Sequence, residues 1–66
     1  MGEPPATGFA SDLKAHRKRL GISQAKLAVL LEVDQSTVSM WEAGNTKPIS
    51  LAQRIIVQTL AAMQPS

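Results

Sequence analysis

The stretch ISQAKLAVLLEVDQSTVSMWEAGNTKP, Ile22 to Pro48, decides the fold. It holds two short segments with helical apolar spacing, each opened by a residue that favours a helix start. Ser23 is a natural N-cap for a helix from Gln24 to about Leu31, and Asp34 for another from Gln35 to Ala43. Ile22 with Leu27, and Val33 with Val38, have the spacing of a hydrophobic staple at each start. Gly44 and Asn45 end the second segment. The two caps lie so close that the connection is too tight for an ordinary antiparallel hairpin.

Working outward, Phe9, Leu13, Leu20 and the stem of Arg17 fall on one face of a first helix, Phe9 to Leu20. Gly21 stands where a left-handed C-terminal residue is wanted. On the other side, TKPIS reads as a loop containing Pro48. Ser50 is placed to cap a fourth helix reaching about Met63, with Pro65 to stop it. Residues Met1 to Gly8 carry two prolines and two glycines and no periodic apolar pattern, which predicts a disordered tail over 1–8 before a domain over 9–64. The expected fold is all-α and compact, with four helices, or five if the chain were longer.

A chain of 66 residues buries little apolar surface and makes one domain at most. It has no cysteine, so neither a disulfide nor a thiolate metal site is available, and one histidine, His16, builds no zinc site alone. His16 is expected in solvent. No apolar run approaches the ~20 residues that a bilayer requires, and MGEPPATG lacks the regions of a signal peptide. A soluble, cytoplasmic protein is expected. There are no paired carboxylates, no glycine-rich phosphate loop and no supported Ser/His/Asp set. No catalytic residue, metal or cofactor is therefore expected, and the chain reads as something other than an enzyme.

The net charge is only +2, but it is unevenly placed. Lys14, Arg17, Lys18, Arg19 and Lys26 lie between Leu13 and Leu31 with no acid among them. Such a field attracts phosphate, though a solvated helix face carries the same signature.

LKAHRKRLGISQAKLAVLLEVDQSTVSMWEAGNTKP resembles the phage-repressor/Cro-type (XRE-type) helix-turn-helix family. The resemblance rests on an ordered set: Arg17, Gly21, Ser23, Gln24, Leu27, Ala28, Thr37, Trp41, Glu42, Gly44 and Pro48. It departs from the family at Glu32, where glycine is usual, and it ends before the fifth helix that the family often carries. Ala28 is small enough for the third helix to cross closely over the second. Leu27, Leu31, Val33, Val38 and Trp41 are expected in the core. A stacking platform for bases is the competing reading of Trp41, and its spacing from Val38 favours the core.

The resemblance implies a sequence-specific regulator of the repressor type, from a bacterium or phage, whose third helix enters the major groove of double-stranded DNA. With Val38 and Trp41 inward, Ser36, Ser39 and Met40 face out, with Gln35 at the leading end. Glutamine can bond an adenine edge and an apolar side chain can meet a thymine methyl, so these four are the candidate base readers. Gln24, Lys26, Thr37 and Lys47 are the candidate phosphate contacts. Arg17 and Glu42 match a pair that, in the family, bridges the first and third helices. The fourth helix is apolar in more than one stripe, and the surplus, Val57 with either Leu60 or Met63, is the candidate homodimer interface. The alternative function is a protein-interaction module, antitoxin-like or an adaptor, that binds a partner through that helix.

Overall fold

The computed structural model describes residues 8–65. The expected tail over 1–8 lies, but for Gly8, outside them. Four helices follow in order: α1 Phe9–Leu20, α2 Gln24–Leu31, α3 Gln35–Ala43 and α4 Ser50–Ala62. All the regular structure among the described residues is helical. α3 packs on both α1 and α2, and α4 packs on α1.

The first three helices end in the same way. After α1, Gly21 is left-handed (φ 69°), its N–H donates to Lys18 O, and Ile22 N–H donates to Arg17 O. After α3, Gly44 (φ 80°) and Asn45 repeat this on Trp41 O and Met40 O. After α2 the left-handed residue is Glu32 (φ 60°), with Glu32 N–H on Val29 O and Val33 N–H on Ala28 O. This paired closure satisfies carbonyls that a helix end otherwise leaves open. Glycine adopts such a φ without strain, whereas glutamate crowds its Cβ against the carbonyl.

The helix starts are less uniform. Ser23 Oγ accepts from Lys26 N–H at 3.0 Å, a side-chain cap on α2. Asp34 does occupy the cap position of α3, but its carboxylate accepts no capping hydrogen bond. Its carbonyl takes Thr37 N–H and Val38 N–H instead. Ser50 is not the cap of α4: that position is Ile49, and Ser50 is the first helical residue. Gln53, one turn on, secures this entrance by donating Nε2 to Pro48 O at 2.6 Å.

Phe9, Leu13, Leu27, Ala28, Val38 and Leu60 form the buried core, with Leu20, Ile22, Leu31, Val33, Trp41, Ile56, Val57 and Met63 half-buried around it. Trp41 meets Phe9 edge to face, ring centroids 5.6 Å apart and planes at 75°, which commits it to packing. His16 is half-buried rather than free in solvent.

The burial of Leu60 corrects the expectation that it offers itself to a second copy. Its side chain has no exposed surface, because α4 turns that stripe onto α1. Val57 and Met63 also rest against the core. The large apolar side chains that α4 and its entrance leave in solvent are Ile49, Leu51 and Ile55, at 74%, 61% and 53% exposure.

Candidate nucleic-acid interface

α3 divides into two faces. Val38 and Glu42 are buried, one turn apart, and aim the helix into the domain. Gln35, Ser36, Ser39, Met40 and Ala43 are exposed on the opposite side. None of the five is charged, so the outward face offers amide, hydroxyl and thioether groups. Thr37 is half-buried at the flank, and Lys47 is exposed in the loop between α3 and α4.

What holds this face at its angle is a carboxylate. Arg17 Nε donates to Glu42 Oε2 at 2.7 Å and Arg17 Nη2 donates to Oε1 at 3.0 Å, a two-pronged pair in which the Glu42 side chain is almost wholly buried. The guanidinium spends its remaining reach on Ile22 O, which accepts from Nη1 at 3.1 Å. Gln24, at the head of α2, donates Nε2 to Glu42 Oε1 at 3.1 Å. The buried carboxylate and its guanidinium partner thus tie together α1, the α1–α2 turn, the start of α2 and the end of α3. A bidentate charged pair fixes orientation as well as adding energy.

The electrostatics follow from these bonds. Burial alone pushes the Glu42 carboxyl up. The Arg17 and Gln24 hydrogen bonds and the charges of Arg17 and Lys14 outweigh it and hold the group below its ordinary range. Reciprocally, the bond to Glu42 raises Arg17. Both side chains are ionised at neutral pH.

Gln24 is not used up by this bond. Its amide nitrogen carries two hydrogens; one is given to Glu42 and the other is available at the positive end of α2, which has no acid in its first turn. Lys26 stands apart from the other proposed phosphate contacts. It lines a groove with Leu20, Ile22, Leu30, Met63 and Gln64, to which α3 contributes nothing. The sequence alone signals neither the Gln24–Glu42 bond nor those of Arg19, which donates to Leu60 O at 2.7 Å and to Met63 O at 3.2 Å, closing the end of α4 onto α1. Local pattern does not signal either, since the partners are 18 and 41 or more residues apart in the chain.

Among the described residues, no group of three or more His, Cys, Asp or Glu side chains is placed to hold a metal ion, and no helix is long and apolar enough to cross a membrane. No curated protein and no solved structure matches the chain. A family model described as helix-turn-helix matches residues 13–56, two thirds of the chain, from the first core leucine of α1 into the middle of α4. The protein belongs to this family, the XRE-type helix-turn-helix regulators, whose members bind DNA.

Proposed function

We propose, from this family membership, that α3 reads the major groove of duplex DNA and that two copies of the chain act together on a two-fold operator. The observation that carries the reading is the uncharged, exposed row on α3 set opposite a buried, ion-paired anchor. In this arrangement Gln35, Ser36, Ser39 and Met40 meet base edges. Glutamine bonded to adenine N6 and N7, with Met40 near a thymine methyl, favours positions containing A·T pairs. Gln24, Thr37 and Lys47 approach the backbone, while Lys26, in a groove to which α3 contributes nothing, is left out of this set. Arg17 is occupied by Glu42 and Ile22 and makes no base contact.

Few direct charges attach one copy, so affinity rests on pairing two. The exposed Ile49, Leu51 and Ile55 supply the apolar surface for that pairing in place of Leu60. Half-sites then lie about one helical turn, ~34 Å, apart.

The test is a matrix of single-base operator variants, first selected from a random duplex pool, measured against Gln35→Ala, Met40→Ala and Lys47→Ala at two salt concentrations. Gln35→Ala and Met40→Ala should each cost roughly 1–3 kcal/mol, confined to one position of the site. Lys47→Ala should weaken all sites alike and lower the salt slope by about one unit. If the α3 variants weaken every site equally, α3 is not the reader, and a protein-interaction role becomes the better account.

A further inference from the structure

We propose that the outer face of α2, with the groove beside it, docks a short amphipathic segment of another protein that presents an apolar side chain and a carboxylate. The sequence of α2, QAKLAVLL, is apolar nearly all round. A helix of that composition is normally buried on every side. Here the core takes Leu27 and Ala28, with Leu31 at its edge. Val29 stays 70% exposed and Leu30 39% exposed.

Next to Leu30 lies the groove of about 240 Å³ bounded by Leu20, Ile22, Lys26, Met63 and Gln64. Its walls join the end of α1, α2 and the segment after α4. The space suits one or two large apolar side chains, which is the scale of a helix laid in a groove rather than of a broad protein interface.

Charge says what covers it. No acid lines the groove, and its single charged wall residue is Lys26. Arg19 stands at the Met63 end, bonded to the Met63 carbonyl. Lys26 sits in the first turn of α2, where the helix dipole disfavours a cation, and no acid shares that turn. An anionic group docked there relieves both. A second copy is a poor occupant, because symmetric packing of two α2 faces brings Lys26 towards its own counterpart. No residue of α3 is involved, so the surface remains open when α3 engages DNA as proposed above.

The test uses the full chain, isotopically labelled for amide NMR, and two synthetic peptides of about 15 residues, long enough for partial helicity. Both carry leucines at helical spacing; one has glutamate and alanine elsewhere, the other lysine and alanine. The glutamate peptide should shift Ile22, Lys26, Val29, Leu30 and Met63, and the lysine peptide should not. Val29→Ser should weaken the binding about tenfold, as loss of a central apolar anchor does. Lys26→Glu, which completes a Ser23-x-x-Glu capping box and so favours the fold, should transfer the preference to the lysine peptide. Equal binding of both peptides, shifts centred on Leu51 and Ile55, or no shift at millimolar peptide would each overturn the proposal. So would concentration-dependent shifts of the α2 face in the protein alone, which would make a second copy the occupant.

Discussion

Gln24 donates to Glu42 at 3.1 Å, on the same carboxylate oxygen that accepts from Arg17 Nη2. The start of α2 and the end of α3 are therefore held through one atom. Removing one side of a buried charged pair leaves the other without a partner, at a cost of ~3–5 kcal/mol. Arg17 is partly exposed, so the lower end of that range is expected for Glu42→Leu. Arg17→Met should cost as much or more, because Glu42 is the more buried partner. The double variant should lose clearly less than the sum of the two, and additive losses in thermal melts would refute the coupling.

Glu42 also makes the fold sensitive to acid. Its folded carboxyl lies below the ordinary value of 4.5, so on acidification the unfolded chain takes up this proton first. Stability from this group is fully present above the ordinary value and is lost as pH falls through the folded one. The melting temperature should drop in that acid window, and Glu42→Gln should flatten the drop while lowering stability at neutral pH. An unchanged acid limb in Glu42→Gln would show that other carboxylates set it.

The turn between α2 and α3 is strained at one residue. Glu32 has φ 60° and its side chain is exposed, without a hydrogen-bonded partner among the described residues. Glu32→Gly should relieve about 1 kcal/mol of strain, offset in part by the larger entropy of the unfolded chain. The net expectation is no change or a gain of up to ~1 kcal/mol in denaturant melts, with Glu32→Asn between the two. A loss beyond ~1 kcal/mol for the glycine variant would assign Glu32 a stabilising role.

Pairing through α4 has a direct check. Leu51→Glu together with Ile55→Glu alters exposed side chains, so the fold should survive. Sedimentation should then give a monomer whose operator affinity falls, with its preference among base variants retained. Charges at Val57 or Met63 would not separate these effects, since both touch the core. A wild-type chain that remains monomeric at every concentration, with and without operator, would refute pairing.

Arg19→Ala should cost about 1.5 kcal/mol, the lower end for a hydrogen bond from a charged group, because part of the site is wet. The loss should be local. Hydrogen exchange should speed up at the Met63 amide, which donates to Leu60 O, more than at Val38 in the core. Uniform acceleration would mean that the bonds hold the whole domain rather than its last turn.

These residues also show what the chain discloses locally. Gly21, Ser23 and Gly44 mark helix ends by backbone preference alone, and the structure places helix ends at all three. Glu32 shows the limit of that logic, since the same left-handed closure forms on a residue that does not favour it. Asp34 discloses a position but not a bond, because a cap's carboxylate can turn to water while its carbonyl starts the helix. Ser50 misleads by one residue, since Pro48 and Gln53 organise the entrance between them. In α4 the apolar residues fill more than one stripe, so spacing alone leaves its rotation open, and contact with α1 decides that Leu60 goes inward. The Gln24 and Arg19 bonds depend on chain segments that meet only after folding.

α1 sends Arg17 to the carboxylate on the buried side of α3 and Arg19 to the carbonyls that end α4. A single helical rod is thereby clamped at neighbouring points to α3, proposed to read, and to the last turn of α4, the helix proposed to pair. Such a linkage has little torsional play. Each base pair inserted between half-sites rotates one of them by roughly 34–36° about the DNA axis. A pair of domains joined through α4 can follow that rotation only by breaking a clamp or by deforming the duplex. The protein should therefore discriminate sharply among operators that differ in spacing alone.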